Sequence, residues 1–142
     1  MRALFDVNVL IALLDAGHLH HRRATEWLAD NRRAGWASCP VTQNGCIRIL
    51  SQPAYPNAQP AAQVAARLGE AAADRSHAFW PDSISLLEDR LDWSRILGPR
   101  QVTDAYLLAL AVENDGRFVT FDRGVPVSAV AGGQRKHLVT LA

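Results

Sequence analysis

Met1-Arg-Ala-Leu-Phe-Asp6-Val-Asn8-Val-Leu-Ile-Ala-Leu-Leu14 carries a short apolar run into a carboxylate and then into a second apolar run. Arg2 to Phe5 has the length and character of a buried strand, and Val9 to Leu14 reads as a short helix that stops near Gly17. The chain repeats the strand-then-carboxylate pattern in Arg117-Phe-Val-Thr-Phe-Asp122. If both strands belong to one parallel sheet, Asp6 and Asp122 leave it at the same edge. That edge is where open α/β sheets bind ligands.

Between these runs strands and helices alternate. His21 to Arg33 has helical spacing, with Ala24, Trp27 and Leu28 on one face. Trp36-Ala37-Ser38 reads as a strand, and Pro40 suits the first turn of a helix that runs to about Leu50. Gln59 to Ala73 is an Ala-rich helix and His77 to Trp80 a third strand. Ser85-Leu-Leu-Glu88 has capping-box spacing and predicts a helix toward Leu97. Thr103 to Asn114 is helical and apolar almost all round, which predicts burial on more than one side. Arg117 to Phe121 and His137 to Leu141 complete the strands. The alternation predicts an α/β fold with a parallel sheet covered on both faces. The 142 residues read as a single domain, 1–142, with no repeat or linker.

Composition narrows the class further. With 49% hydrophobic and 20% charged residues, the chain has the balance of a soluble globular protein. No apolar run approaches the roughly 20 residues of a membrane span. Met1 enters a strand at once, leaving no room for a signal peptide, so the expected location is cytoplasmic. Cys39 and Cys46 have no metal-like spacing and read as buried free thiols. Net charge is +1, yet Lys136 is the one Lys among 15 basic residues, the rest being Arg. Arg forks suit phosphate, a weak pointer to nucleic acid.

Asp104 completes an acidic constellation. It falls at the start of the helix that leads into the Arg117 strand, and that start lies at the same sheet edge. Asp6, Asp104 and Asp122 are therefore expected on one rim. A helix-start acid is also favoured by the macrodipole, and each Asp alone has a bland turn or cap explanation. Together, three carboxylates without His or Cys suit Mg²⁺ or Mn²⁺. The chemistry such an ion supports is phosphodiester hydrolysis. A haloacid-dehalogenase-like phosphatase would want a second Asp where Asn8 stands, and a receiver domain would want an acidic pair after its first strand and a Lys after its last conserved strands, where only Lys136, in a polar loop, is available.

Read as a set, the segments resemble the PIN-domain family, in particular the VapC toxins of bacterial toxin–antitoxin pairs. The segments that carry the likeness run in order along the chain: Leu4-Phe-Asp6-Val-Asn8-Val-Leu; Asp15…His18-x-His20-His21…Ala24…Trp27; Cys39-Pro-Val-Thr42-Gln-Asn44-Gly45…Arg48; Phe79-Trp-Pro-Asp82; Thr103-Asp104-Ala-Tyr-Leu-Leu-Ala-Leu-Ala111; and Val119-Thr120-Phe-Asp122. The resemblance implies a three-layer α/β/α sandwich around a parallel sheet of about five strands. It implies a Mg²⁺- or Mn²⁺-dependent endoribonuclease toxin that cuts structured RNA, tRNA or rRNA, leaving 5′-phosphate and 3′-hydroxyl ends. A VapB-like antitoxin would neutralise it, the chain would form a homodimer, and DNA would be met only through the antitoxin. Asp6, Asp104 and Asp122 fall on catalytic and metal positions of the family.

One departure stands out. Many PIN domains carry a Glu three residues beyond a Thr or Ser in the helix after the second strand, and here that position is Gly45. Gln43 or Asn44 could contact a metal-bound water or a phosphate in its stead, or be ordinary first-turn polar residues. Asn44, Arg48 and Arg100 are candidate substrate contacts, the two Arg as phosphate grips or as plain surface residues. The missing carboxylate leaves a second reading open, a PIN-fold binding module that lost its chemistry. His18, His20 and His21 read as a solvated helix start that could touch RNA backbone. Asp15 and Asp82 read as turn acids.

Overall fold

The computed structural model describes residues 1–142. Five strands, β1 (Ala3–Phe5), β2 (Trp36–Ser38), β3 (His77–Phe79), β4 (Arg117–Thr120) and β5 (Leu138–Thr140), form one sheet in the order β3-β2-β1-β4-β5. Every pairing is parallel. Helices α1 (Val7–Leu14), α2 (His21–Asn31), α3 (Pro40–Leu50), α4 (Ala61–Ala72) and α5 (Arg100–Glu113) fill the connections. No helix is long and apolar enough to cross a membrane.

The period of two along β1 sorts the core into two layers. Ala3 and Phe5 face a cluster built from α1 to α4, including Val9, Trp27, Cys46 and Leu68. Leu4 points the other way, into a cluster dominated by α5 with Trp80, Tyr106, Leu107, Leu108 and Leu110. That is the α/β/α sandwich: four helices on one face and α5 on the other. The chain progresses outward through β2 and β3, then returns through α5 to place β4 on the far side of β1. The sheet order therefore reverses between β1 and β4, and the C-terminal ends of strands at such a reversal are where open α/β sheets bind ligands.

Eight consecutive residues of α5, Asp104 to Ala111, are buried. Replacing Leu108, which has no exposed surface, by Ala is expected to cost about 2–5 kcal/mol, measured as a lower urea midpoint at unchanged slope. Both cysteines are free and buried, as their spacing suggested. Thr42 closes a capping box at the start of α3: its Oγ1 accepts from the Cys39 amide at 3.0 Å.

One expected element is absent. The segment from Ser85 to Leu97 forms turns and one 3₁₀ turn (Trp93–Arg95) in place of a helix. The capping contacts that prompted the expectation do form: the Ser85 amide donates to Glu88 Oε1 at 3.0 Å, and the Leu87 amide to Ser85 Oγ at 3.1 Å. The helix does not propagate because its backbone is used elsewhere. Leu91 makes an antiparallel bridge to Val130, Arg90 accepts from the Ala131 amide, and the Asp92 amide donates to Ala129. Long-range pairing wins over a local start signal.

Candidate active site

Asp6 follows β1 and caps α1. One carboxylate oxygen accepts from the Val7 amide at 2.7 Å, and the other accepts from the Thr120 hydroxyl at 2.6 Å. Thr120 ends β4, next door in the sheet, and is fully buried. Its oxygen also accepts from the Asp122 amide at 3.0 Å and from Asn8 Nδ2 at 3.4 Å. A hydroxyl has one hydrogen to give and two lone pairs, and all three are used here. Asn8 closes the ring by accepting from the Phe121 amide at 3.4 Å. Two residues thus lace the exit of β1 to the exit of β4, with Asp6 and Asp122 on either side. Thr120 and Asn8 were not expected as site residues. The available signal was proximity: Thr120 stands two residues before Asp122.

Asp104 reaches the same place from the other layer. Its helix begins at Arg100, so Asp104 stands in the second turn, and the first turn holds no acid. The expected helix-start position is corrected, and the macrodipole account of this Asp goes with it, because that effect fades beyond the first turn. Burial, then the charge of Asp6, then the contact with Asp122 push the Asp104 carboxyl up to about 7. Asp6 is also raised, by burial first and by Asp122 to a smaller degree, against the lowering pull of Thr120 and Val7. Asp122 is exposed, with its Oδ1 accepting from the Gly124 amide at 3.0 Å. The structure brings the three carboxylates close enough to repel one another.

No three His, Cys, Asp or Glu side chains are arranged as a finished metal-binding group. The donor chemistry nevertheless fits a hard cation. All three groups are carboxylates, two of them are buried, and the proton that Asp104 retains near neutral pH relieves the same repulsion that a divalent ion would relieve.

Gly45 is buried, and a Cβ placed there would lie 2.6 Å from Val7 Cγ2. The space a Glu would need at this position is filled by the residue that follows Asp6. Of the two polar neighbours, Gln43 is engaged, donating from Nε2 to Ser38 Oγ at 3.0 Å. Asn44 is exposed. Arg48, one turn after Asn44 on α3, and Arg100, one turn before Asp104 on α5, are exposed and enter no ion pair. The histidines are less solvated than expected. His21 contacts the Ala12 carbonyl at 2.7 Å, and the His20 ring lies against Phe121.

The PIN domain family profile matches residues 3–131. The chain belongs to the PIN-domain family. Ribonuclease VapC44 of Mycobacterium tuberculosis (strain CDC 1551 / Oshkosh) is 51% identical over 142 residues, 99% of this chain and 100% of that protein. Ribonuclease VapC38 of M. tuberculosis (strain ATCC 25618 / H37Rv) is 44% identical over 124 residues, 87% of this chain and 86% of its own length. The crystal structure of VapBC2 from Rickettsia felis bound to a DNA fragment from their promoter superposes with a TM-score of 0.63 at 11% identity, covering 100% of both chains.

Proposed function

We propose that this PIN domain is an endoribonuclease toxin of the VapC type, dependent on Mg²⁺ or Mn²⁺. The observation that carries the reading is the meeting of Asp6, Asp104 and Asp122, from three separate elements, at one sheet edge with Asp104 pushed up to about 7. The full-length likeness to proteins named ribonucleases supports it.

Asp6, Asp104 and Asp122 would hold the ion, which supplies a polarised phosphate oxygen and a more acidic water. The chain's own residues fix the rest. Thr120 and Val7 hold the Asp6 carboxylate in one orientation by two hydrogen bonds. Asn8 and Thr120 set the backbone from which Asp122 projects. Asn44, Arg48 and Arg100 are exposed polar and cationic groups suited to an RNA strand. Structured RNA, tRNA or rRNA, is the substrate class, cut to 5′-phosphate and 3′-hydroxyl ends in the cytoplasm.

A VapB-like antitoxin is the expected protein partner, laying a segment across the acidic groove, and a second copy of the chain the other. Leu87 (93% exposed), Leu97 (87%) and Trp93 (46%) leave apolar surface in one segment for such contacts. A pure binding module is disfavoured by Asp104 itself: burying a carboxylate against two others costs stability, and binding alone gives no reason to keep it.

The test is cleavage of total RNA by purified, antitoxin-free protein with Mg²⁺ or Mn²⁺ against EDTA, with sequencing of the new 5′ ends. Discrete cuts that need the metal and disappear in Asp6→Asn are the expected result. A folded, metal-supplied protein that leaves RNA intact overturns the reading in favour of the binding module.

A further inference from the structure

The rim beside Asp122 continues into a strip of rings that the carboxylates do not use. Phe121 stacks on His20 with centroids 4.7 Å apart and planes inclined by 23°. The His18 ring follows at 5.8 Å, tilted by 47°. All three rings are half-buried, and Leu19 between the two histidines is 88% exposed. The loop is pinned from within, since the His20 amide donates to His18 Nδ1 at 3.0 Å. Beyond His18 opens a cavity of about 310 Å³, lined also by Asp15, Leu19, Tyr55 and Asn57. That size lies at the lower end of small-ligand pockets.

The chemistry of the cavity selects its occupant. The Tyr55 hydroxyl and the Gly17 amide both donate to the Asp15 carboxylate. The Tyr55 contact foremost, with the Gly17 amide and the nearby His18 and His21, holds that carboxyl below its usual range. A standing negative charge repels phosphate and attracts N–H donors. Flat ring faces leading to an N–H acceptor suit a nucleobase, and single-stranded RNA is the form in which bases are splayed out for stacking.

We infer that the strip Phe121–His20–His18 and the cavity behind it seat an unpaired RNA base flanking the cut phosphate, with Asp15 accepting from the base's N–H edge. This deepens the ribonuclease reading and rests on it. The strip would place the sugar-phosphate backbone over the acidic rim and the base to its side. A loop that can present one splayed base next to the target phosphate would then be cut in preference to a duplex.

Binding is measured by fluorescence anisotropy with short labelled single-stranded RNA in EDTA, where cleavage is suppressed, and cleavage by steady-state kinetics with Mg²⁺. His20→Ala is expected to weaken binding by roughly five- to a hundredfold and to raise KM far more than it lowers kcat, with thermal melting to show that it folds. His20→Tyr restores a ring and is expected to recover most of the affinity. An abasic strand is expected to bind the parent as weakly as the ordinary strand binds His20→Ala. The subsite alone is overturned if the parent cleaves RNA while His20→Ala binds and cleaves like it, if Tyr fails to restore binding, or if abasic and ordinary strands bind equally. A parent that neither binds nor cleaves RNA overturns the ribonuclease reading, and the subsite with it.

Discussion

Asp104→Asn is expected to abolish RNA cleavage while making the metal-free protein more stable at slightly alkaline pH. On the catalytic side the loss should be at least about a hundredfold, since replacing even the outer partners of metal ligands typically costs 10–100-fold. On the stability side the sign follows from the raised carboxyl. Asp104 keeps its proton up to about 7 in the folded chain, against an ordinary value of 3.8. Between these values the folded state binds the proton and the unfolded state has lost it, so stability falls as pH rises through the window. The contribution is fully present below about pH 4 and gone above about pH 7, on the order of 4 kcal/mol in all. Asn carries no charge at any pH and should flatten that slope. Denaturant unfolding of the metal-free parent and variant at about pH 5 and about pH 8 measures it. A variant less stable than the parent at both values would show that the three carboxylates do not strain the fold.

Gly45→Glu restores a carboxylate where many PIN domains have one, and here it is expected to damage the protein. The new Cβ meets Val7 Cγ2 at 2.6 Å and Cγ1 at 3.2 Å, whereas Val7 Cβ stands at 3.5 Å, an ordinary contact. Overpacking of this kind costs about 1–3 kcal/mol, more where neighbours cannot shift. Val7 directly follows Asp6, so any shift also disturbs the acid, and cleavage should fall with stability. Val7→Ala removes both offending methyl groups. The double variant Val7→Ala with Gly45→Glu is therefore expected to be more stable than Gly45→Glu alone, a favourable coupling between neighbours. Urea midpoints of the four proteins in the cycle provide the check. Additive losses would place the strain of Gly45→Glu somewhere other than Val7.

The alternation of elements was legible in the short apolar runs, and the acidic rim in two of them that are closed by Asp6 and Asp122. Trp36-Ala37-Ser38 and Pro40 to Leu50 appear where hydrophobic runs and proline placed them. Ser85 to Leu97 failed for a reason no local pattern holds: its backbone pairs with Val130 and its neighbours, some forty positions away in the chain. Helix α5 begins three residues before the apolar periodicity does, since Pro99 permits a first turn, from Arg100, that shows none. Thr120 was invisible as a hub because a hydroxyl on a strand looks the same whether it serves a carboxylate or merely fits the pleat. Gly45 could be seen as a missing acid. That Val7 fills the space could not, since it depends on how closely α1 approaches α3.

The Thr120 hydroxyl reaches Asp6 across 114 positions of chain. During synthesis the residue that orients the first acid is thus made long after that acid, and Asp122 comes later still. A nascent or truncated chain ending before β4 would hold Asp6 without its partner and without the third carboxylate. The acidic edge is therefore completed only when nearly the whole domain exists.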